Sequence, residues 1–163
     1  MESIQIRAME LSDNVALAKI IRDALTEFGA DQPGTVYYDE STDHLFELFQ
    51  QDYCSYFVAE ENGELLGGGG IFATAGLPEK TCELVKMYLK PAARGKRIGK
   101  LIIDHCLERA AEFGYENVYL ETMPELEQAI SVYEKFGFKN LTGPMGNSGH
   151  FGCSKWMLKS LAL

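Results

Sequence analysis

Between Leu84 and Ile103 the chain carries Lys86, Lys90, Arg94, Lys96, Arg97 and Lys100, and no acidic residue. The rest holds 9 of the 15 basic and all 24 acidic side chains, a balance of −15. Such a cluster is either a solvated helix face or an anion site. Its position argues for the anion. The cluster spans a strand end, a Gly-containing turn and the opening of a helix, where backbone N–H groups lie unpaired at the positive end of the helix dipole. Gly95 and Gly99 allow close approach of a ligand to the backbone. Together these features make a cradle for a pyrophosphate. A P-loop is excluded because Gly99-Lys100 is followed by Leu101, where a Ser or Thr hydroxyl is needed. A dinucleotide fingerprint is excluded because the glycines at 67–70 lead into Ile71-Phe72, a strand continuation. That glycine run reads as a bulge or a site of close packing against the next strand.

Other chemistry is scarce. Cys54, Cys82, Cys106 and Cys153, and His44, His105 and His150, stand at no metal-ligand spacing, so no metal is expected and the cysteines read as small core residues. The chain of 163 residues has a net charge of −9, which disfavours general nucleic-acid binding and polybasic membrane attachment. Aromatic residues make 11% of it, too many for a disordered acidic segment. No run of apolar residues is long enough to span a bilayer. Met1 to Glu10 lacks a basic region followed by an apolar one. The expectation is one soluble cytoplasmic domain over residues 1–163.

The elements that must hold the cradle can be read from periodicity and turn residues. Ile4 to Arg7 alternates as an opening strand. Ser12-Asp13-Asn14 offers N-caps for a helix through Leu17, Ile21 and Leu25, closed by Gly29. Ser41-Thr42-Asp43 opens a second helix with Leu45, Leu48 and Phe49 on one side. Tyr56 to Ala59 and Leu65 to Ala75 form a hairpin about Asn62-Gly63, the return strand interrupted by its four glycines. Thr81 to Leu89 is a strand stopped by Pro91. Ile98, Leu101, Ile102, Cys106, Ala110 and Phe113 mark a helix, and Asn117 to Glu121 a buried strand. Leu126, Ile130 and Tyr133 mark a short helix, and Phe138 to Leu141 pairs with Cys153 to Leu158. The order β α α β β β α β α β β implies a mixed sheet with helices on its faces, an α/β or α+β layered domain.

At this point two motifs resemble one family. Leu89 to Lys100 is similar to the acetyl-CoA pyrophosphate loop of the GNAT N-acetyltransferases, Arg/Gln-x-x-Gly-x-Gly/Ala. Arg94 fills the first position, Gly99 the last, and Arg97 stands where the family usually has glycine. Ala129 to Phe138 resembles the family's A-x-x-x-Y-x-x-x-G-F helix and strand. The family's asparagine three residues before that alanine is Leu126 here. The resemblance implies a mixed, mainly antiparallel sheet of about seven strands flanked by about four helices.

It also implies acetyl-CoA as co-substrate and an amine acceptor. The backbone of Met87, Tyr88 and Leu89 would take the pantetheine arm. Arg94, Gly95, Lys96, Arg97, Ile98, Gly99 and Lys100 would take the pyrophosphate, and the N–H of Met87 would face the developing oxyanion. Glu83 matches a frequent base position, with Glu121 as rival and His150 as a weaker one. Tyr133 matches the tyrosine that protonates the leaving sulfur. Tyr37, Tyr38, Asp39 and Glu40 would border the acceptor, Glu121 is a further candidate to touch it, and the Gly143 to Gly152 loop would close the opposite side. The leading expectation is acetylation of a small primary amine. The alternatives are a peptide or protein acceptor, a non-catalytic acyl-CoA binder, or a flavin or nucleotide site. The resemblance also admits a homodimer paired through the C-terminal strands.

Overall fold

The computed structural model describes residues 3–124, 126–146 and 154–161. Seven strands form one sheet: β1 (Gln5–Ala8), β2 (Ser55–Glu61), β3 (Glu64–Phe72), β4 (Thr81–Leu89), β5 (Asn117–Thr122), β6 (Lys139–Asn140) and β7 (Lys155–Ser160). Their spatial order is β1-β2-β3-β4-β5-β7-β6, and every neighbouring pair is antiparallel except β4 and β5. Four α-helices, α1 (Asn14–Glu27), α2 (Leu45–Leu48), α3 (Ile98–Glu112) and α4 (Glu127–Lys135), and four short 3-10 turns are the other described elements. The expected mixed, mainly antiparallel sheet with about four helices is what the chain forms.

Each face of the sheet carries its own core. Ile98, Ile102, Cys106 and Ala110 of α3 and Tyr133 of α4 pack with Leu84, Val118 and Met157 on one face. Leu17, Ile21 and Leu25 of α1 pack with Leu45, Phe49, Tyr56 and Val58 on the other. Leu101, which fits the apolar period of α3, is 39% exposed; Ile103 is buried in its place. Cys54, Cys82 and Cys106 are buried and unpaired, as core residues should be, and burial pushes the Cys82 thiol up to about 12.

Two local readings are corrected. The second helix shrinks to the single turn Leu45–Leu48, preceded by a 3-10 turn over Glu40–Asp43. Asn14 holds that turn in place: its side chain accepts the Phe46 N–H at 2.8 Å and donates to Glu47 at 2.8 Å. Asn14 is therefore the first residue of α1, and Asp13 turns away to pair with Arg7 at 2.9 Å. The glycine run does not break its strand either. β3 continues from Glu64 to Phe72 because Gly67 to Gly70 stay paired with Ala59 to Tyr56 of β2. Their missing side chains make room. A Cβ on Gly70 would meet the Ser55 carbonyl oxygen at 2.6 Å and the Tyr56 ring at 2.7 Å, and one on Gly69 would meet the Met87 sulfur at 2.6 Å.

Candidate active site

β4 and β5 make the site by parting company. They pair over three rungs only, Thr81↔Asn117, Cys82↔Val118 and Glu83↔Tyr119. Beyond Glu83, β4 follows β3 out to Leu89 while β5 follows β7 to Thr122. A bulge forces the divergence. Gly68 pairs with Tyr88 and Gly70 with Val85, so Gly69 alone faces both Lys86 and Met87. An extra residue in one strand bends it and raises its twist. Lys86 takes the left-handed conformation (φ 53°), and the Tyr56 hydroxyl donates to its carbonyl at 2.8 Å.

The split opens a cavity of about 770 Å³. Met87, Tyr88 and Leu89 of β4 line it, as do Val132 and Tyr133 of α4 and Phe136 at that helix's end. Arg94, Gly95, Arg97, Ile98, Gly99 and Lys100 form one end, and Glu83 and Glu121 also line it. Apart from Val132 and Phe136, these are residues named as candidates from the sequence. Lys96 does not line the cavity, nor do Tyr37 and Tyr38. The 3-10 turn Val36–Tyr38 sends Val36 inward instead; Tyr37 lies 6.0 Å from the Arg22 guanidinium, and Tyr38 is 60% exposed. His150 falls outside the described residues.

The basic island divides in three dimensions. Lys90 pairs with Glu64 at 3.1 Å. Arg94 pairs with Glu27 of α1, donates to the Leu89 carbonyl at 3.1 Å and stacks 4.8 Å from the Phe28 ring. It thus fastens the loop to the C-terminal end of α1. Lys86 lies away from the loop, buried, with Asp39 at 3.3 Å. That leaves Lys96, Arg97 and Lys100 with no ion pair among the described residues, two of them lining the cavity beside the first turn of α3. The N–H groups of that turn have no acceptor inside the helix.

Arg97 caps α3 with φ 63° and ψ 15°, the left-handed conformation in which glycine is unstrained. The family's glycine at this position has its physical reason here. Arg97→Gly should therefore raise the melting temperature by a few degrees, since relief of a left-handed side chain is worth about 1 kcal/mol. Gly99 is less constrained. A Cβ there would touch only Met87 and Leu89 side chains, at 3.4 and 3.5 Å, so alanine fits.

At the crotch of the split, Glu83 is 3% exposed, and the Thr74 hydroxyl donates to it at 2.7 Å. Glu121 accepts from the Tyr119 hydroxyl at 2.7 Å, which itself accepts the Met145 N–H at 3.0 Å. Burial, and then the hydrogen bond to Glu121, hold the Tyr119 phenol well above its ordinary range. Glu121 is thus tied into a chain that anchors the loop at Met145, while Glu83 sits deeper, where β4 and β5 separate. Tyr133 is 7% exposed, edge-on to Phe138 at 5.9 Å. Its hydroxyl makes no hydrogen bond among the described residues, where no buried polar side-chain atom lacks a partner. The oxygen therefore reaches the cavity surface, and burial keeps the phenol protonated by raising its pKa.

Sequence reasoning missed Thr74 and the separate placement of Lys86. One trace of the latter exists: apolar alternation slips at Lys86, with Leu84 and Met87 on the α3 face and Val85 and Tyr88 on the other.

Comparison with known proteins agrees with this geometry. The acetyltransferase (GNAT) family pattern matches residues 17–138. The uncharacterized N-acetyltransferase YjgM of Escherichia coli (strain K12) is 40% identical over 98% of this chain and 96% of its own. An acetyltransferase of the GNAT family from Staphylococcus aureus Mu50 superposes with a TM-score of 0.87 at 18% identity, over 98% of this chain and 100% of that one. YncA of Salmonella typhimurium, a putative acetyltransferase solved with acetyl-CoA, superposes with a TM-score of 0.76 at 20% identity, over 98% of this chain and 94% of that one. With the pattern running from α1 through α4 and a relative alike along nearly the whole length, this chain belongs to the acetyltransferase (GNAT) family.

Proposed function

We propose that this chain transfers an acetyl group from acetyl-CoA to a primary amine of a small molecule, by direct attack with both substrates bound. One observation carries the reading: the cavity between the split strands has a cationic, helix-capped cradle at one end and a buried carboxylate, Glu83, at the crotch. Acetyl-CoA, when bound, supplies an acetyl group already activated as a thioester. Arg97, Lys100 and the first N–H groups of α3 suit its pyrophosphate. β5 pairs with β4 only as far as Glu83, and the stretch of β4 from Val85 to Leu89 beyond it suits the amide-bearing arm. The Met87 N–H is the donor for charge developing on the carbonyl oxygen. Glu83, oriented by Thr74, takes the proton of the attacking amine. The protonated Tyr133 hydroxyl donates its proton to the departing sulfur.

Thermal unfolding with acetyl-CoA or CoA, against ATP, NAD and FMN, tests the first half of this proposal. At about 100 times its dissociation constant a native-state ligand adds about 2.7 kcal/mol, a rise of roughly 5–11 °C for a domain of this size. No rise with CoA would end the proposal, and a rise with FMN alone would give the cavity to a flavin. An amine screen by thiol release tests the second half. Tyr133→Phe should lower kcat about tenfold or more, with the CoA dissociation constant held within threefold. Unchanged kcat would remove Tyr133 from the chemistry.

A further inference from the structure

Lys86 has no part in the chemistry described so far. Its side chain is 5% exposed yet lines the cavity, on the same stretch of β4 as Glu83. Burying an ammonium is costly, and here burial pulls its pKa down while Asp39 and Glu83 pull the other way. The bulge fixes its place: a left-handed backbone, a carbonyl held by Tyr56, and a side chain directed to Asp39 on the face of the sheet opposite α3. An ammonium has three N–H donors, and the contact to Asp39 at 3.3 Å occupies one of them. Arg22, the other cation whose charge reaches Lys86, is committed to Asp43 at 2.6 Å and to the Tyr37 carbonyl at 3.2 Å. This end of the cavity therefore carries carboxylates at Glu83 and Glu121 and, within electrostatic reach of Glu83, an ammonium that Asp39 holds through one of its three donors. That pattern is complementary to a zwitterion.

We infer that Lys86 is a carboxylate-binding residue and that the acceptor is an amino acid, with its amine toward Glu83 and its carboxylate toward the Lys86 ammonium. The inference rests on the amine-acceptor reading above and narrows it. A polyamine or amino sugar brings a further cation and no acceptor for the Lys86 donors that Asp39 leaves over. A carboxylate on the carbon next to the amine gives those remaining Lys86 donors an anionic acceptor while the amine meets Glu83. Charged hydrogen bonds in sites of this kind discriminate by roughly 10- to 100-fold.

The test compares amino acids with their decarboxylated counterparts: lysine with cadaverine, phenylalanine with phenethylamine, alanine with ethylamine. The readout is the ratio of kcat/KM within each pair, measured by thiol release from acetyl-CoA. The wild type should favour the amino acid by about 10- to 100-fold. In Lys86→Met, and in the same variant carrying Asp39→Asn so that no carboxylate loses its partner, the ratio should fall toward one. A wild-type ratio near one overturns the inference. So does a ratio that survives both substitutions, the result expected if Lys86 only supports the fold. If neither member of any pair is acetylated while CoA still raises the melting temperature, the amine-transfer reading fails on its own. Calorimetry with the CoA-loaded protein then decides about Lys86: tighter binding of the amino acid, lost in Lys86→Met, supports the carboxylate site, and equal binding of the pair overturns it.

Discussion

Glu83→Gln should lower kcat by about 100- to 1,000-fold while leaving the CoA-induced melting shift intact, because a positioned general base contributes on the order of 10²–10⁴. Glutamine is nearly the same size, and its amide oxygen can still accept the Thr74 hydroxyl that holds Glu83 at 2.7 Å. The packing at the crotch of β4 and β5 is thereby kept, and only the capacity to take a proton is lost. A second signature separates this from misfolding. Aliphatic amines ionise near pH 10, so each unit of pH below that removes about nine-tenths of the free base. Raising the pH should therefore narrow the gap between variant and wild type, since solvent then does what the carboxylate did. Glu121→Gln provides the contrast. Glu121 already accepts from the Tyr119 hydroxyl, which a glutamine oxygen can do as well, so Glu121→Gln should keep kcat within a few-fold of wild type. If Glu83→Gln lay within threefold of wild type at neutral pH and Glu121→Gln were the slow variant, the two roles would have to be exchanged.

The largest effect on stability should come from Gly67→Ala. Gly67 has φ 156°, and a Cβ there would lie 2.2 Å from the Tyr88 carbonyl oxygen and 2.9 Å from the Leu89 Cα. Both are backbone atoms of the neighbouring strand, so no side chain can swing aside to relieve the clash. β4 would have to move as a unit at the rungs Gly67↔Leu89 and Gly68↔Tyr88. Overpacking against backbone costs about 3 kcal/mol, a fall of roughly 6–12 °C in melting temperature for a domain of this size. The same displacement shifts the edge proposed to meet the CoA arm. CoA affinity should therefore fall together with stability, a coupling that Gly99→Ala, with contacts no closer than 3.4 Å, should not show. A melting temperature within 2 °C of wild type would mean that the glycines at 67–70 are not required by close packing.

Much of this molecule was legible in its sequence because local rules decided it. Asn62-Gly63 turns the β2–β3 hairpin with both residues at positive φ, 53° and 79°. Pro91 ends β4, and the apolar repeat from Ile98 to Ala110 forms α3 where it should. The turn between β4 and α3 was legible as well, because a strand end, a glycine turn and a helix start lie within a dozen consecutive residues. Contacts between distant segments were not. The second helix failed beyond one turn because Asn14, some thirty residues earlier, holds the Phe46 N–H and Glu47. Six cations in one stretch read as a single patch, yet Glu27, Asp39 and Glu64 each claimed one from elsewhere in the chain. The slip of register at Gly69 sent Lys86 away from the loop it seemed to serve. Sequence order specifies which charges are neighbours along the chain. Only the folded sheet, by pairing three rungs of β4 and β5 and then bending β4 away, decided which of them face the cavity and which are neutralised within the fold.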